Sequence, residues 1–361
     1  MTIQGAHAYR LIEKGKLLER FELPTLEPGA DEVIIQIAGC GICHTDVGFA
    51  VDGLPTRKPL PLVLGHEISG RVVAAGEHAQ DWVGRLVVVP AVIPCGTCAA
   101  CKAGRPTICR NQFMPGNDGD GGFATHVRIP ARGLCAVPEP LPPGIDADSL
   151  SVIADAVTTP WEAIRRAGVG PEDVTVFVGV GGVGGFGVQI AAALGAAVIA
   201  IDVDKERCEL ALAHGAGLAL DPASMNDKDL KAAVRSFVKQ SGRNGIGLKI
   251  FETSGTTAGQ QTAFGLLDFG AYLAVVGYTS NKAEFRLSNL MAFDATARGN
   301  WGCPPDQYPL ALDLVLGGSI VIAPYVERHS LEEAPVVFDA VARHAIRRRV
   351  ILKPGPNGTG N

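Results

Sequence analysis

The hydrophobic positions of this 361-residue chain follow two different rhythms. Up to about residue 150, short apolar runs alternate with turn residues, as in VIIQIAGCG, HEISGRVVAAGE, GRLVVVPAV and GGFATHVRIP. Short strands separated by turns are typical of an antiparallel, barrel-like domain. From about residue 153 onward, strand-like and helical patterns alternate, as in VTVFVGVGGVGGFGVQIAAALG, AVIAIDVDKERCELALAHG, LKIFETSG and GAYLAVVGY. This alternation predicts parallel strands joined by helical crossovers.

The last part of the chain returns to a mixed pattern, with the segments ALDLVLGG, PYVERHSLEEAPVVFDAVAR and RVILKP. A chain of this length favours two domains over one core. We therefore predict an α/β protein with a first domain over 1–153, a second over 154–297, and a return to the first over 298–361.

Charge and hydropathy exclude several classes of protein. The formal net charge is -5 and the only dense basic run covers 347–349, whereas nucleic-acid binding needs clustered positive charge. Residues 174–201 carry no charge, but seven glycines break that run, so we predict no membrane span. The N-terminal segment MTIQGAHAYRLIEKGK lacks the apolar core of a signal peptide, so we expect a cytoplasmic protein.

Four of the nine cysteines lie in one segment, CGTCAACKAGRPTIC, and they are Cys95, Cys98, Cys101 and Cys109. A cysteine cluster in the cytosol is more often metal-binding or catalytic than disulfide-forming. One loop can wrap four thiolates tetrahedrally around zinc, and such a closed site is structural. The alternative, four unrelated buried cysteines, does not explain the regular spacing.

A second group of metal-binding side chains is spread along the sequence. It comprises Cys43 in GCGICHTD, His66 and Glu67 in GHE, and Asp155 in IADAVTTPW. A catalytic zinc site has three protein ligands and one open position, and we assign Cys43, His66 and Asp155 as the ligands. Glu67 is an adjacent carboxylate that can tune or temporarily ligate the metal. A core cysteine beside a surface His-Glu pair would explain each residue alone but not the set.

A glycine-rich turn predicts a dinucleotide site. In VFVGVGGVGGFG the turn follows an apolar strand and precedes a helix, and it comprises Gly179, Gly181, Gly182, Val183 and Gly184. The glycines allow the tight turn and the close approach of a pyrophosphate to the helix N-terminus. Asp202 ends the next strand and can bind both ribose hydroxyls, which favours NAD over NADP because a carboxylate repels a 2′-phosphate. The alternative is a structural glycine turn with a surface aspartate.

Together these motifs resemble the zinc-containing medium-chain dehydrogenase/reductase family, in which GHE follows a Cys-x-Thr/Ser-Asp segment and precedes a four-cysteine loop. The resemblance covers nearly the whole chain. It implies a GroES-like antiparallel β catalytic domain, a Rossmann doubly wound parallel sheet, and an NAD-dependent zinc alcohol dehydrogenase acting on a CH-OH group. By this likeness Cys43 and His66 match two zinc ligands, Glu67 matches their neighbouring carboxylate, and Thr45 matches the hydroxyl that binds the substrate oxygen. Asp155 stands where many members have cysteine and some have glutamate.

The same resemblance implies further cofactor contacts. Lys205 would lie near the adenosine ribose, Thr159 near the nicotinamide, and Val276 with Gly277 along the nicotinamide ring. Family members assemble as homodimers or homotetramers, so we expect one of these states.

One position departs from the family pattern. Many members pass the alcohol proton to a histidine five residues after the first cysteine ligand, where this chain has Gly48. His44 or water would complete the proton path, or the chemistry depends less on that proton.

The segments AYRLIEKGK, CGICHTDVGFA, IPCGTCAAC and CRNQFMPGNDGDGGFATH are similar to those of 6-hydroxycyclohex-1-ene-1-carbonyl-CoA dehydrogenases. This likeness implies oxidation of a ring secondary alcohol of an acyl-CoA in anaerobic benzoyl-CoA degradation. The CoA phosphates need basic partners, for which Arg57 and Lys58 are candidates, although exposed basic pairs are commonly only solvated. The alternatives are a zinc dehydrogenase for free secondary alcohols or polyols, and a catalytically silent NAD- and zinc-binding homologue.

Overall fold

The structure, a computed structural model, describes residues 6–243 and 246–355. Its contacts divide the chain into two compact units. The first unit contains residues up to Thr158, the segment Gly302–Leu316 and the residues from Val326 onward. The second contains Thr159–Trp301 and Gly317–Tyr325.

In the part of the chain that the structure describes, the first unit begins with a series of eight strands. These are β1 (His7–Leu11), β2 (Glu19–Glu22), β3 (Glu32–Gly41), β4 (Leu62–Val63), β5 (Glu67–Ala75), β6 (Leu86–Val89), β7 (His126–Pro130) and β8 (Cys135–Ala136). Two short helices interrupt them, α1 (His44–Ala50) and α2 (Ala99–Lys102). Strand β1 pairs antiparallel with both β2 and β4, which makes a small three-stranded sheet.

The second unit alternates helices and strands. Its helices are α3 (Thr158–Ala167), α4 (Gly184–Ala193), α5 (Lys205–Ala213), α6 (Asp227–Ser241), α7 (Thr257–Gly265) and α8 (Ser288–Ala292). Its strands are β9 (Val174–Val178), β10 (Ala197–Ile201), β11 (Leu218–Leu220), β12 (Lys249–Glu252), β13 (Tyr272–Val275) and β14 (Thr296–Gly299). All pair in parallel in the order β11-β10-β9-β12-β13-β14, which is the doubly wound order 3-2-1-4-5-6. The predicted Rossmann sheet is confirmed.

The remaining elements complete the first unit. They are α9 (Tyr308–Leu316), β15 (Val326–Ser330), α10 (Ala334–Ala342) and β16 (Arg349–Lys353). The large sheet runs β15-β16-β3-β5-β6-β8, with β7 also paired to β3. All its pairs are antiparallel except β15 with β16, which are parallel because α10 forms a crossover between them. The GroES-like antiparallel domain therefore includes one parallel pair that the sequence did not predict.

The segment Gly317–Tyr325 lies with the second unit, whereas the sequence boundaries put it in the first domain. Two hydrogen bonds hold it there: the Gln189 side chain donates to the Val321 carbonyl oxygen at 3.2 Å and accepts from its N–H at 2.7 Å. The Tyr325 ring also packs on Phe186 with ring centroids 5.3 Å apart. Among the described residues, no helix is long and apolar enough to cross a membrane.

Candidate active site and cofactor-binding turn

The four dispersed candidate ligands lie together in the first unit. Cys43 caps the N-terminus of α1, His66 directly precedes β5, Glu67 begins β5, and Asp155 follows a short 3₁₀ helix. Their ligand atoms all lie within 4.8 Å of one another. Asp155 Oδ2 is 3.4 Å from Cys43 Sγ and 3.6 Å from His66 Nε2. A thiol, an imidazole and carboxylates at this spacing are a donor set that zinc accepts.

The orientation of His66 is set by a buried carboxylate. Its Nδ1 lies 3.3 Å from Asp46 Oδ1, and Asp46 in turn accepts hydrogen bonds from the backbone N–H groups of Cys43 and Gly65. Burial alone would lower the pKa of His66, but Asp46 and Asp155 together raise it well above its ordinary value. A carboxylate that holds one ring nitrogen directs the other toward a metal. No sequence motif singled out Asp46 for this role, although it stands in the HTD segment.

Glu67 is paired with an arginine from the other end of the chain. Arg349, the first residue of β16, places Nε 2.8 Å from Glu67 Oε2 and also contacts Oε1. Both side chains are buried. Burial raises the pKa of Glu67 to about 7, against the lowering effect of Arg349. The guanidinium also lies 3.7 Å from Asp155 Oδ2. No motif around Arg349 marks this role in the sequence.

The first turn of α1 carries the proposed substrate-binding hydroxyl. Thr45 Oγ1 lies 3.7 Å from Cys43 Sγ, and the residue is partly exposed. His44 is exposed, and its ring stacks on His344 with centroids 5.2 Å apart. Gly48 is buried inside the same helix. His44, one of the two candidates for the proton path, therefore already contacts a second imidazole.

The four-cysteine loop has the geometry of a closed metal site. The sulfur atoms of Cys95, Cys98, Cys101 and Cys109 all lie within 4.8 Å of one another. Cys98 Sγ is 3.5 Å from Cys101 Sγ and 3.7 Å from Cys109 Sγ. Tetrahedral zinc with Zn–S bonds of about 2.3 Å separates its sulfurs by about 3.8 Å. Hydrogen bonds, led by the backbone of Thr97, lower the pKa of Cys95 to about 5, which favours the thiolate form that binds metal.

The glycine-rich turn joins β9 to α4, and its glycines differ in how closely other atoms surround them. Gly179 has a φ of +87°, and a Cβ there would lie 2.4 Å from the Ser254 Cα. A Cβ on Gly184 would lie 1.9 Å from the Gly179 carbonyl oxygen. The nearest neighbour of a Cβ on Gly181 would be the Arg207 guanidinium, at 3.4 Å. Gly182 and Val183 lead directly into the N-terminus of α4. Gly179 and Gly184 are thus required by packing, whereas Gly181 borders a flexible side chain.

Asp202 directly follows β10 and is buried. Its carboxylate accepts hydrogen bonds from the N–H groups of Val180 at 2.8 Å and Asp204 at 2.9 Å, which ties it to the glycine-rich turn. The cation beside it is Arg207, whose Nη1 lies 4.0 Å from Asp202 Oδ2. Lys205 instead points into solvent, with 90% of its side chain exposed, and lies 3.5 Å from Glu209. No sequence motif singled out Arg207, and the role of Lys205 stays a prediction.

The predicted nicotinamide contacts lie at the carboxyl edge of the parallel sheet. The Val276 and Gly277 N–H groups, just after β13, both donate to the Glu252 carbonyl oxygen at 2.9 Å. The Thr159 carbonyl oxygen accepts a hydrogen bond from the Asn300 side chain at 3.2 Å, and Asn300 follows β14. Ligands of open α/β sheets bind at this edge.

The two basic candidates for CoA phosphates already have acidic neighbours. Arg57 Nη1 lies 3.0 Å from Asp118 Oδ1, and Lys58 Nζ lies 2.5 Å from Asp120 Oδ2. About half of the Arg57 side chain is exposed. A phosphate would therefore share these cations with carboxylates.

Two family patterns match this chain. The family described as "Alcohol dehydrogenase GroES-like domain" matches residues 29–139, and the family described as "Zinc-binding dehydrogenase" matches residues 182–317.

Individual relatives match over most of their length. An alcohol dehydrogenase of Geobacillus stearothermophilus is 29% identical, over 94% of this chain and 96% of the relative. An NAD-dependent alcohol dehydrogenase of Sulfurisphaera tokodaii is 30% identical, over 66% and 70%. L-galactonate-5-dehydrogenase of Escherichia coli is 28% identical, over 90% and 92%. The crystal structure of the Aeropyrum pernix alcohol dehydrogenase superposes with a TM-score of 0.84 at 28% identity, over 96% of this chain and 100% of that one.

Proposed function

Because the chain belongs to the zinc-containing medium-chain alcohol dehydrogenase family and is an NAD-dependent zinc alcohol dehydrogenase, we propose that it oxidises a secondary alcohol beside Cys43, His66 and Asp155. The observation that carries this proposal is the convergence of a thiol, an imidazole and a carboxylate within 4.8 Å. The reaction converts alcohol and NAD⁺ into ketone, NADH and a proton.

Each group of this site has a distinct task. Cys43, His66 and Asp155 would hold the catalytic zinc, and Asp46 would keep His66 Nε2 directed at it. When bound, zinc supplies a Lewis acid that lowers the pKa of the alcohol, and NAD accepts the hydride. Arg349 balances the charge of Glu67, so the Glu67 carboxylate can stay buried beside the candidate zinc ligands without being left unpaired.

Thr45 would bind the substrate oxygen. Its hydroxyl lies 3.7 Å from Cys43 Sγ, close enough to accept a hydrogen bond from an alcohol bound beside that sulfur. The alcohol proton would leave through this hydroxyl. Since Gly48 cannot carry a proton, His44 or water would take it onward.

The second unit would bind NAD through the glycine-rich turn. Gly181 and the N-terminus of α4 would face the pyrophosphate, Asp202 the adenosine ribose, and Thr159 with Val276 and Gly277 the nicotinamide. The buried Asp202 carboxylate disfavours a 2′-phosphate, which supports NAD as the preferred cofactor.

For the substrate, we propose 6-hydroxycyclohex-1-ene-1-carbonyl-CoA, which would become 6-oxocyclohex-1-ene-1-carbonyl-CoA. The support is the likeness of four segments spread over the first 126 residues, and Arg57 with Lys58 are the candidate phosphate contacts. A second candidate is a free secondary alcohol or polyol. L-galactonate-5-dehydrogenase, named for a polyhydroxy acid, is 28% identical over 90% of the chain and favours this alternative.

Measuring NADH formation with zinc-loaded protein would separate the two candidates. The thioester should be compared with its free acid, cyclohexanol and polyols under the same conditions. Turnover of the thioester alone would support the CoA substrate. Turnover of the free alcohols alone would overturn it and leave the alcohol dehydrogenase in place.

We further propose a homodimer formed through β14. All four residues of this edge strand are exposed, and among the described residues the strand pairs only with β13. The Thr296 N–H donates to the Ala271 carbonyl oxygen, just before β13, and the Asn300 N–H donates to the Val275 carbonyl oxygen at its end. The N–H groups of Ala297 and Gly299 therefore face the open edge. On the adjacent α8, Met291 is 77% exposed. Two copies related by a two-fold axis could pair their β14 edges.

A further inference from the structure

A buried tyrosine outside every sequence motif contacts the turn that carries Asp155. Tyr308 begins α9 and is only 1% exposed. Its hydroxyl donates to the Ala154 carbonyl oxygen at 2.5 Å and accepts from the Ala91 N–H at 3.1 Å. One oxygen atom therefore joins three segments of the first unit that are distant in sequence.

The peptide held by this hydroxyl is the one that leads into Asp155. Ala154 is the last residue of the 3₁₀ helix Ser149–Ala154, and the chain leaves that helix at Asp155 with φ −140° and ψ −57°. Thr158 Oγ1 donates to the same Ala154 carbonyl oxygen at 3.1 Å. Two buried hydroxyls thus fix the plane of the peptide bond from which the Asp155 side chain projects.

The short side chain of Asp155 makes the position of its carboxylate sensitive to the position of this peptide bond. Aspartate has one methylene fewer than glutamate, so the position of its carboxylate depends more directly on the backbone. Metal sites need their ligands held within about 0.5 Å of the productive geometry. Burial also raises the pKa of Tyr308 well above its ordinary value, which keeps the hydroxyl protonated and able to donate.

We propose that Tyr308 is a positioning residue for the candidate zinc ligand Asp155, and that it acts through the Ala154 carbonyl oxygen. The inference rests on the proposed function, in which Cys43, His66 and Asp155 hold the catalytic zinc. Tyr308 would keep Asp155 Oδ2 near Cys43 Sγ, at the observed 3.4 Å. Loss of its hydroxyl would loosen this ligand without removing it.

The test compares Tyr308→Phe with the matched variant Tyr325→Phe. Tyr325 is also buried, and its hydroxyl donates to the Leu210 carbonyl oxygen at 3.3 Å, but Leu210 adjoins none of the candidate ligands. Zinc transfer to a colorimetric chelator would give the release rates of the two zinc ions. The visible spectrum of protein loaded with Co²⁺ would report the ligand geometry of the catalytic site.

We expect Tyr308→Phe to release the catalytic metal about 10–100-fold faster, as when other residues that orient metal ligands are changed. Its Co²⁺ bands should shift, while release from the four-cysteine loop stays unchanged. Tyr325→Phe should match the wild type in both measurements. Wild-type release rates and an unshifted Co²⁺ spectrum for Tyr308→Phe would overturn the inference, even if its melting temperature fell.

Two further measurements distinguish failure of the positioning role from misfolding of the variant and from failure of the proposed function. If Tyr308→Phe does not fold, Thr158→Val removes the other hydroxyl on the same carbonyl oxygen and should accelerate release in the same direction, and no acceleration would overturn the inference. If the wild type binds metal only at the four-cysteine loop, the proposed function itself fails. Normal binding of both metals with no effect of Tyr308→Phe defeats the positioning role alone.

Discussion

Two carboxylates lie beside the Cys43 thiol, and their surroundings differ. Glu67 is fully buried and contacts the Arg349 guanidinium through both oxygens, whereas Asp155 is 17% exposed and lies 3.4 Å from Cys43 Sγ. A carboxylate engaged by a guanidinium in two charge-assisted hydrogen bonds has less electron density to offer a metal. We therefore expect Asp155 to be the resting ligand and Glu67 to remain with Arg349.

This difference predicts the behaviour of two variants at Asp155. Asp155→Ala should bind only the zinc of the four-cysteine loop and lose at least about 100-fold in activity, because a ligand is removed rather than merely misaligned. Asp155→Cys should keep both zinc ions, since thiolate is an accepted zinc ligand. Metal analysis and NADH formation would measure both effects. Full metal content in Asp155→Ala would show that Glu67, not Asp155, is the third ligand.

His126 on β7 predicts a change of stability with pH. Burial lowers its pKa from 6.5 to about 4, so the unfolded chain takes up a proton first as the pH falls. The stability that comes from the neutral ring is complete above pH 6.5 and declines as the pH falls toward about 4. Melting temperatures across this range should fall more steeply for the wild type than for His126→Gln. Parallel curves for the two proteins would contradict the assignment to His126.

At the scale of elements, two glycines of the turn between β9 and α4 have different expected roles, one in ligand binding and one in packing. Gly181→Ala should fold normally, because the nearest neighbour of its Cβ is the flexible Arg207 side chain at 3.4 Å, but it should weaken NAD binding roughly tenfold or more, about 1.4 kcal/mol. Gly184→Ala should lower the melting temperature instead, since its Cβ would overlap the Gly179 carbonyl oxygen. Calorimetry and NADH fluorescence titration would measure both. Equal losses of stability in the two variants would show that Gly181 is also needed for packing.

The elements that the sequence predicted best are those whose buried positions form an apolar pattern along the chain. Strand β9 is buried at all five positions, and its apolar run followed by glycines made the parallel sheet predictable. Strand β14, TARG, is exposed at all four positions and has no apolar pattern to detect. The pairing of β15 with β16 depends on the crossover through α10, so strand patterns alone could not give its direction.

For the whole molecule, motifs located the candidate metal ligands but not the groups that position them. Cys43 and His66 stand in short, specific segments, so the sequence identified them. Arg349 and Tyr308 became visible only in the fold, because each meets its partner across a long sequence separation: 282 residues from Glu67 and 154 from Ala154. Such contacts depend on burial and strand pairing, which leave no local pattern.

Assembly is the property of the whole molecule that can be tested most directly. Ala297→Pro removes a backbone N–H at the open edge of β14 but leaves the hydrogen bonds to β13, so we expect a folded monomer. Light scattering would give the mass, and circular dichroism would verify the fold. Val336→Lys, at an exposed position on α10, should leave the mass unchanged. An unchanged mass in Ala297→Pro would place the subunit interface elsewhere.

The pairing of Glu67 with Arg349 also determines when the first unit can finish folding during protein synthesis. Glu67 leaves the ribosome 282 residues before Arg349 does. Until β16 is translated and pairs with β3, the first unit lacks the guanidinium that contacts both oxygens of the buried Glu67, and a buried ion pair without one partner is strongly destabilising. The metal-binding half of the enzyme therefore completes its fold only after the whole cofactor-binding half has been translated.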